Sequence, residues 1–142
     1  ANGFDHVIDY TNTDFEAEVM RLTNGEGVNV AYDSVGKDTM ARTITSTKRR
    51  GTIIAFGQSS GPYADFKITD LSKGSYYLSR PTLFHFVGDR SWLDAASVKL
   101  FKAVTDGTIN VSINQRFALE DVAKAHDALT GRATTGCTIL TV

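Results

Sequence analysis

Two spacings of apolar residues alternate along the chain, one suited to strands and one to helices. The run HVIDY, residues 6–10, predicts an opening strand. In TNTDFEAEVMRLTNGEG, Phe15, Val19 and Leu22 share one helical face. Thr13 or Asp14 can cap that helix, and Asn24-Gly25 stop it. VNVAYDSVG alternates apolar and small residues up to a glycine and predicts a second strand. KDTMARTITSTKRRG predicts a helix weakened by its threonines, with Met40 and Ile44 toward a core. Its basic residues 48–50 would lie near the negative end of the helix dipole. GTIIAFG predicts a fully buried strand, and GSYYLSRPTLF a fourth strand, ended or bent at Pro81.

The strongest helical pattern is DRSWLDAASVKLFKAVTDG. Leu93, Ala96, Leu100 and Val104 form a stripe, Ser91 with Asp94 gives an N-terminal box, and Gly107 stops it. Beyond it, VSINQRFAL reads as a polar strand, EDVAKAHDALTG as a short helix and CTILTV as a last strand. Strand and helix alternating at this spacing predict βαβ units, and hence an α/β fold with a parallel sheet.

Composition narrows the function classes. The 142 residues carry a formal net charge of -1, which favours neither nucleic acid nor an anionic membrane. No run reaches the roughly 20 apolar residues of a membrane span, no signal peptide opens the sequence, and a reducing cytosol is the expected compartment. The single cysteine, Cys137, excludes an internal disulfide and a cysteine-based zinc site built from this chain alone. His6, His85 and His126 lack metal-ligand spacing.

In an open parallel sheet, ligands bind beyond the carboxyl ends of the strands. Two strands here end in Asp33-Ser34-Val35-Gly36 and Phe56-Gly57-Gln58-Ser59-Ser60-Gly61. Glycine allows close approach of a flat ring or ribose, and serine supplies hydroxyls. Either stretch alone also suits an ordinary turn; both together at consecutive strand ends point to a nucleotide crevice. Asp33 is expected to fix its turn rather than exchange protons. A dinucleotide fold should also open with a strand running into G-x-G-x-x-G. The chain contains no such run, so the sheet is expected to lack its first strands.

ANGFDHVIDY, YDSVGKDT, RRGTIIAFGQSSG, GSYYLSRPTL and RATTG, in this order and spacing, resemble the zinc-independent quinone oxidoreductases. These relatives of zeta-crystallin belong to the medium-chain dehydrogenase/reductase superfamily. The resemblance implies the C-terminal part of a longer polypeptide, a partial Rossmann fold (a doubly wound parallel sheet). Residues 1–110 would belong to the NADPH-binding domain, and residues 111–142 would return to a GroES-like catalytic domain. It implies hydride transfer from NADPH to a quinone or similar conjugated carbonyl acceptor, with the isolated chain inactive. Enoyl or alkenal reduction, or a non-catalytic dimerisation module, are the alternatives.

By the same resemblance, Tyr10 would lie toward the adenosine phosphate, and Ser34 with Val35 along the adenosine side. Phe56, Gly57 and Ser59 would border the nicotinamide and its ribose. Gln58 stands where relatives often carry asparagine. Arg80, Pro81 and Thr82 would lie near the carboxamide and the substrate entrance, and Arg132 would reach the cofactor from the tail. Tyr10 and Phe56 equally suit ordinary strand aromatics. No catalytic residue and no metal ligand is expected within the chain. A homodimer is expected through residues 74–83, whose outer edge would have no partner within the subunit.

Overall fold

Asp14 starts the first helix. Its carboxylate accepts the Glu16 and Ala17 N–H groups at 3.1 and 3.3 Å, satisfying donors that a helix start leaves open. The computed structural model describes residues 3–142, and this helix, α1, spans Phe15–Leu22. It ends at Thr23, followed by Asn24 (φ 54°) and Gly25 (φ 82°) in the left-handed region. The chain forms two compact units, Gly3–Phe86 and Val87–Val142. The units divide ahead of residue 110, so the long amphipathic helix groups with the C-terminal segment.

In the first unit, β1 (Val28–Asp33), β2 (Thr47–Ala55) and β3 (Tyr77–Ser79) form a parallel sheet in that order. Helix α2 (Met40–Thr45) joins β1 to β2. Side chains alternate along each strand, so Asp33 and its ladder neighbour Ala55 share a face, with Ile53 two positions before Ala55. Met40, Ile44, Ile53 and Ala55 are buried together against Tyr63, Phe66, Tyr76 and Leu78, and Ile53 is fully enclosed. The opposite face carries Val30, Tyr32 and Tyr77, all exposed.

Five expectations are corrected, four of them in the first unit. Residues 6–10 form no ladder with any described strand; the Asp9 carboxylate instead gathers Thr11 and Asn12 into a turn. Apolar alternation alone makes no strand where a hydrogen-bonded neighbour is lacking. Helix α2 stops at Thr45, so Lys48, Arg49 and Arg50 lie in β2 and not at a helix end. There Val28 faces Thr47 while Val30 faces Thr52, so residues 48–51 swell out of the ladder, with Arg50 at φ 62°.

The strand β2 is sealed on one face only, since Thr52 and Ile54 are half-buried. The fourth predicted strand shrinks to the three residues of β3. Before it, Ser75 adopts φ 53°, outside the β region. Beyond it, Pro81 has no N–H to continue a ladder.

The second unit follows helix α3 (Phe84–Val87), which runs across the division. Helix α4 spans Arg90–Thr105. Asp89 is its cap in place of Ser91, accepting the Ser91 and Trp92 N–H groups, while Asp94 pairs with Arg90 at 2.9 Å. Strand β4 (Ile113–Ala118), helix α5 (Val122–Thr130) and strand β5 (Cys137–Thr141) complete the chain, with β4 and β5 parallel. Among the described residues, no helix is long and apolar enough to cross a membrane.

Candidate functional site

The ends of β1 and β2 are tied together by backbone. Past Asp33 and Ala55 the two chains turn, and their peptide groups bond across the gap. Asp33 O accepts Phe56 N at 2.9 Å, Ser34 O accepts Ser59 N at 3.1 Å, and Val35 O accepts Ser60 N at 2.9 Å. Lys37 N returns a bond to Gly61 O at 3.0 Å. The Ser60 hydroxyl adds two more, donating to Val35 O at 2.7 Å and accepting Asp38 N at 3.1 Å. The two glycine-bearing stretches singled out in the sequence therefore form one unit.

Two glycines permit this lacing. A Cβ on Gly57 would lie 2.6 Å from Ser34 O and 2.9 Å from Ser34 Cα. A Cβ on Gly36 would lie 2.6 Å from Gly61 O, and Gly36 also adopts φ +88°. Gly57 is thus required by the neighbouring turn, a constraint separate from the ligand contact expected of it.

Asp33 anchors the arrangement from inside. Its side chain is buried, and one oxygen accepts Val35 N at 2.8 Å and Gly36 N at 2.9 Å. The other accepts the hydroxyls of Thr39 at 2.8 Å and Thr43 at 2.7 Å. Burial by itself would raise its pKa. The bonds from Thr43, Gly36, Thr39 and Val35 outweigh it, and the carboxyl titrates below its ordinary value. Asp33 is an ionised fixture of the fold. The signal for the clamp was in the sequence as Thr39 and Thr43, one helical turn apart, but their destination was not.

Six of the expected site residues line two hollows in the first unit. Tyr10, Ser34 and Val35 line one of about 300 Å³, together with Phe15, Tyr32 and the clamp threonines. Gly57, Gln58 and Arg80 line another of about 290 Å³, whose floor is Met40, Ala55, Phe66 and Leu78. Phe56 is half exposed and meets Tyr32 edge-on, ring centres 6.4 Å apart. Ser59 is exposed, and among the described residues neither its hydroxyl nor that of Ser34 bonds a protein group. Arg80 donates to Pro81 O at 2.9 Å, and Pro81 and Thr82 are half-buried beyond β3. Arg132 belongs to the second unit, in the turn after α5, at φ 55°. Tyr32, Phe15 and Thr43 also line the first hollow, where the sequence did not place them. Among the described residues, no group of three or more His, Cys, Asp or Glu is placed to hold a metal ion.

The sequence and fold of the chain recur in known proteins. Residues 2–140 match the family described as zinc-binding dehydrogenase. A quinone oxidoreductase of Pseudomonas aeruginosa is 42% identical over 135 residues, covering 94% of this chain and 42% of the relative. A 2-haloacrylate reductase of a Burkholderia species is 38% identical over 140 residues, covering 97% of this chain and 42% of the relative. The crystal structure of Escherichia coli quinone oxidoreductase complexed with NADPH superposes with a TM-score of 0.89 at 36% identity, over 96% of this chain and 43% of that one. The chain thus spans about 42% of the length of the curated relatives it matches. It belongs to the zinc-binding dehydrogenase family.

Proposed function

We propose that the chain forms part of the cofactor crevice of an NADPH-dependent quinone oxidoreductase. The laced turns at the carboxyl ends of two adjacent parallel strands are the observation that carries this reading. They form the kind of surface on which an α/β sheet binds a nucleotide. The reduced nicotinamide, when bound, supplies the hydride. The residues of this chain would hold and orient the cofactor and exclude water around it. Tyr10, Tyr32, Ser34 and Val35 offer ring faces and hydroxyls on one side; Phe56, Gly57, Gln58 and Ser59 border the other. Arg80, Pro81, Thr82 and Arg132 complete the expected contacts. No group in the chain is assigned to proton transfer.

The acceptor is a quinone or a similar conjugated carbonyl compound. Reduction of a conjugated alkene is the second reading, favoured by the 38% identity to a 2-haloacrylate reductase. In either case residues 1–110 would belong to the nucleotide-binding domain and residues 111–142 to the return into a catalytic domain. The protein would be cytoplasmic and dimeric, pairing through residues 74–83, where β3 ends the sheet with its outer edge unpaired among the described strands.

The test is an NADPH titration of the chain followed by backbone amide NMR. Shifts concentrated at Ser34, Val35, Gly57 and Ser59 are expected at millimolar cofactor. Shifts elsewhere, or none, would contradict the crevice.

A further inference from the structure

The turn of residues 34–36 has the outline of an anion site, with consecutive N–H groups at the carboxyl end of a strand. Its donors, however, are spent. Val35 N and Gly36 N both point to Asp33 Oδ1, at 2.8 and 2.9 Å. The charge they hold is buried and is secured from behind by Thr39 and Thr43. A phosphate placed here would find no free donor on Val35 or Gly36 and a fixed negative charge beneath them. The neighbouring carbonyls of Ser34 and Val35 are engaged by the opposite turn.

Apart from Asp33 itself, whose oxygens are taken up by these four donors, the lining of the adjoining hollow is uncharged. Its lining includes Tyr10, Tyr32, Phe15 and Ile8 with the Ser34 hydroxyl, and no lysine or arginine. The Arg42 guanidinium lies over the Phe15 ring, 4.6 Å from its centre, and donates to Asp38 O. Aromatic faces stack on a flat ring, and hydroxyls exchange hydrogen bonds with a ribose.

We propose that Asp33 is a specificity-determining positioning residue: by consuming the Val35 and Gly36 N–H groups with a buried carboxylate, it closes this turn to phosphate and reserves it for an uncharged ring or ribose. The inference rests on the crevice reading above and goes beyond it, since it assigns the residue that excludes phosphate from this turn.

The test compares adenosine with inorganic pyrophosphate at matched ionic strength, following the backbone amides of the chain by NMR. In the wild type, adenosine shifts Ser34 and Val35 while pyrophosphate leaves Val35 and Gly36 unmoved. Asp33→Asn removes the charge but keeps an acceptor for the N–H groups; Asp33→Ala removes the charge and frees them. Pyrophosphate affinity at the turn therefore rises in the order wild type, Asn, Ala, by about tenfold or more for Ala, equivalent to about 1.4 kcal/mol. A role confined to stability would weaken binding of both ligands and improve neither.

Saturable pyrophosphate shifts at Val35 and Gly36 in the wild type would overturn the proposal, as would adenosine leaving Ser34 and Val35 unmoved. A folded Asp33→Asn chain that binds pyrophosphate no better than the wild type would overturn it too. Should either variant fail to fold, the wild-type pair of titrations decides. Wild-type pyrophosphate binding at the turn alongside NADPH binding sinks this inference alone, whereas failure of NADPH to move the turn sinks the crevice reading and this inference with it.

Discussion

Gly57 packs against the backbone of Ser34 so closely that a Cβ would stand 2.6 Å from the Ser34 carbonyl oxygen. That oxygen also accepts the Ser59 N–H at 3.1 Å. A side chain at position 57 must therefore push apart two turns that bond to each other. Gly57→Ala is expected to cost about 1–3 kcal/mol, in the range of overpacked sites. Ser59→Ala, at an exposed hydroxyl with no protein partner among the described residues, should stay within about 0.5 kcal/mol. Urea denaturation of the two variants measures the contrast.

Asp33 makes stability depend on acidity in a defined direction. Its folded pKa lies below the unfolded value, so the native state binds fewer protons than the unfolded chain as pH falls. The stabilisation is complete above the unfolded carboxylate range and is lost as pH drops through the depressed folded value. Asp33→Asn should remove this part of the acid sensitivity. Thr43→Val, which deletes a donor, should move the Asp33 titration upward, and Thr43→Ser should restore it. Urea melts from neutral to acidic pH, with carboxyl NMR of Asp33, report both.

Ile53 is the fully enclosed side chain on which α2 and the sheet meet. Truncation to alanine should cost about 2–5 kcal/mol, the usual range for a buried isoleucine. Val30→Ala, on the exposed face of β1, should change stability by well under half of that. Thermal and urea unfolding compare them.

Much of this fold was legible because its signals are local. Asp14 could be recognised as a cap, and β1, α4 and β5 carry patterns that need no knowledge of their neighbours. What escaped depends on distant partners. Residues 6–10 have strand composition, yet strand formation is decided by a neighbour, and none among the described strands pairs with them. Lys48, Arg49 and Arg50 resemble a helix end, but β-branched threonines shorten α2, and the Thr47 hydroxyl closes on Thr43 O at 2.7 Å. The crevice turns were visible as two glycine-serine stretches. Their lacing, and the Asp33 clamp with Thr39 and Thr43, require contacts that appear only once α2 is folded back on β1.

The proposed dimer makes β3 the variable strand. Tyr77 is exposed, whereas Leu78 packs on the core, so a charge at 77 blunts the edge without opening the interior. Light scattering should give a dimer for the wild type and a monomer for Tyr77→Lys, with both chains folded by circular dichroism. A wild-type monomer, or a dimer indifferent to the substitution, would exclude this edge.

The 142-residue chain by itself should not oxidise NADPH in the presence of 1,4-benzoquinone, because it contains no G-x-G-x-x-G run to neutralise a pyrophosphate. Turnover above a heat-inactivated control would contradict that expectation.

The central claim is that these residues form a working part of a reductase crevice. It is tested most directly by exchanging the matching segment of the Pseudomonas aeruginosa quinone oxidoreductase for this chain and assaying NADPH oxidation with 1,4-benzoquinone. The account predicts NADPH-dependent turnover in the hybrid, reduced when Arg80 or Arg132 is replaced by alanine. A folded hybrid that neither binds nor oxidises NADPH would contradict it.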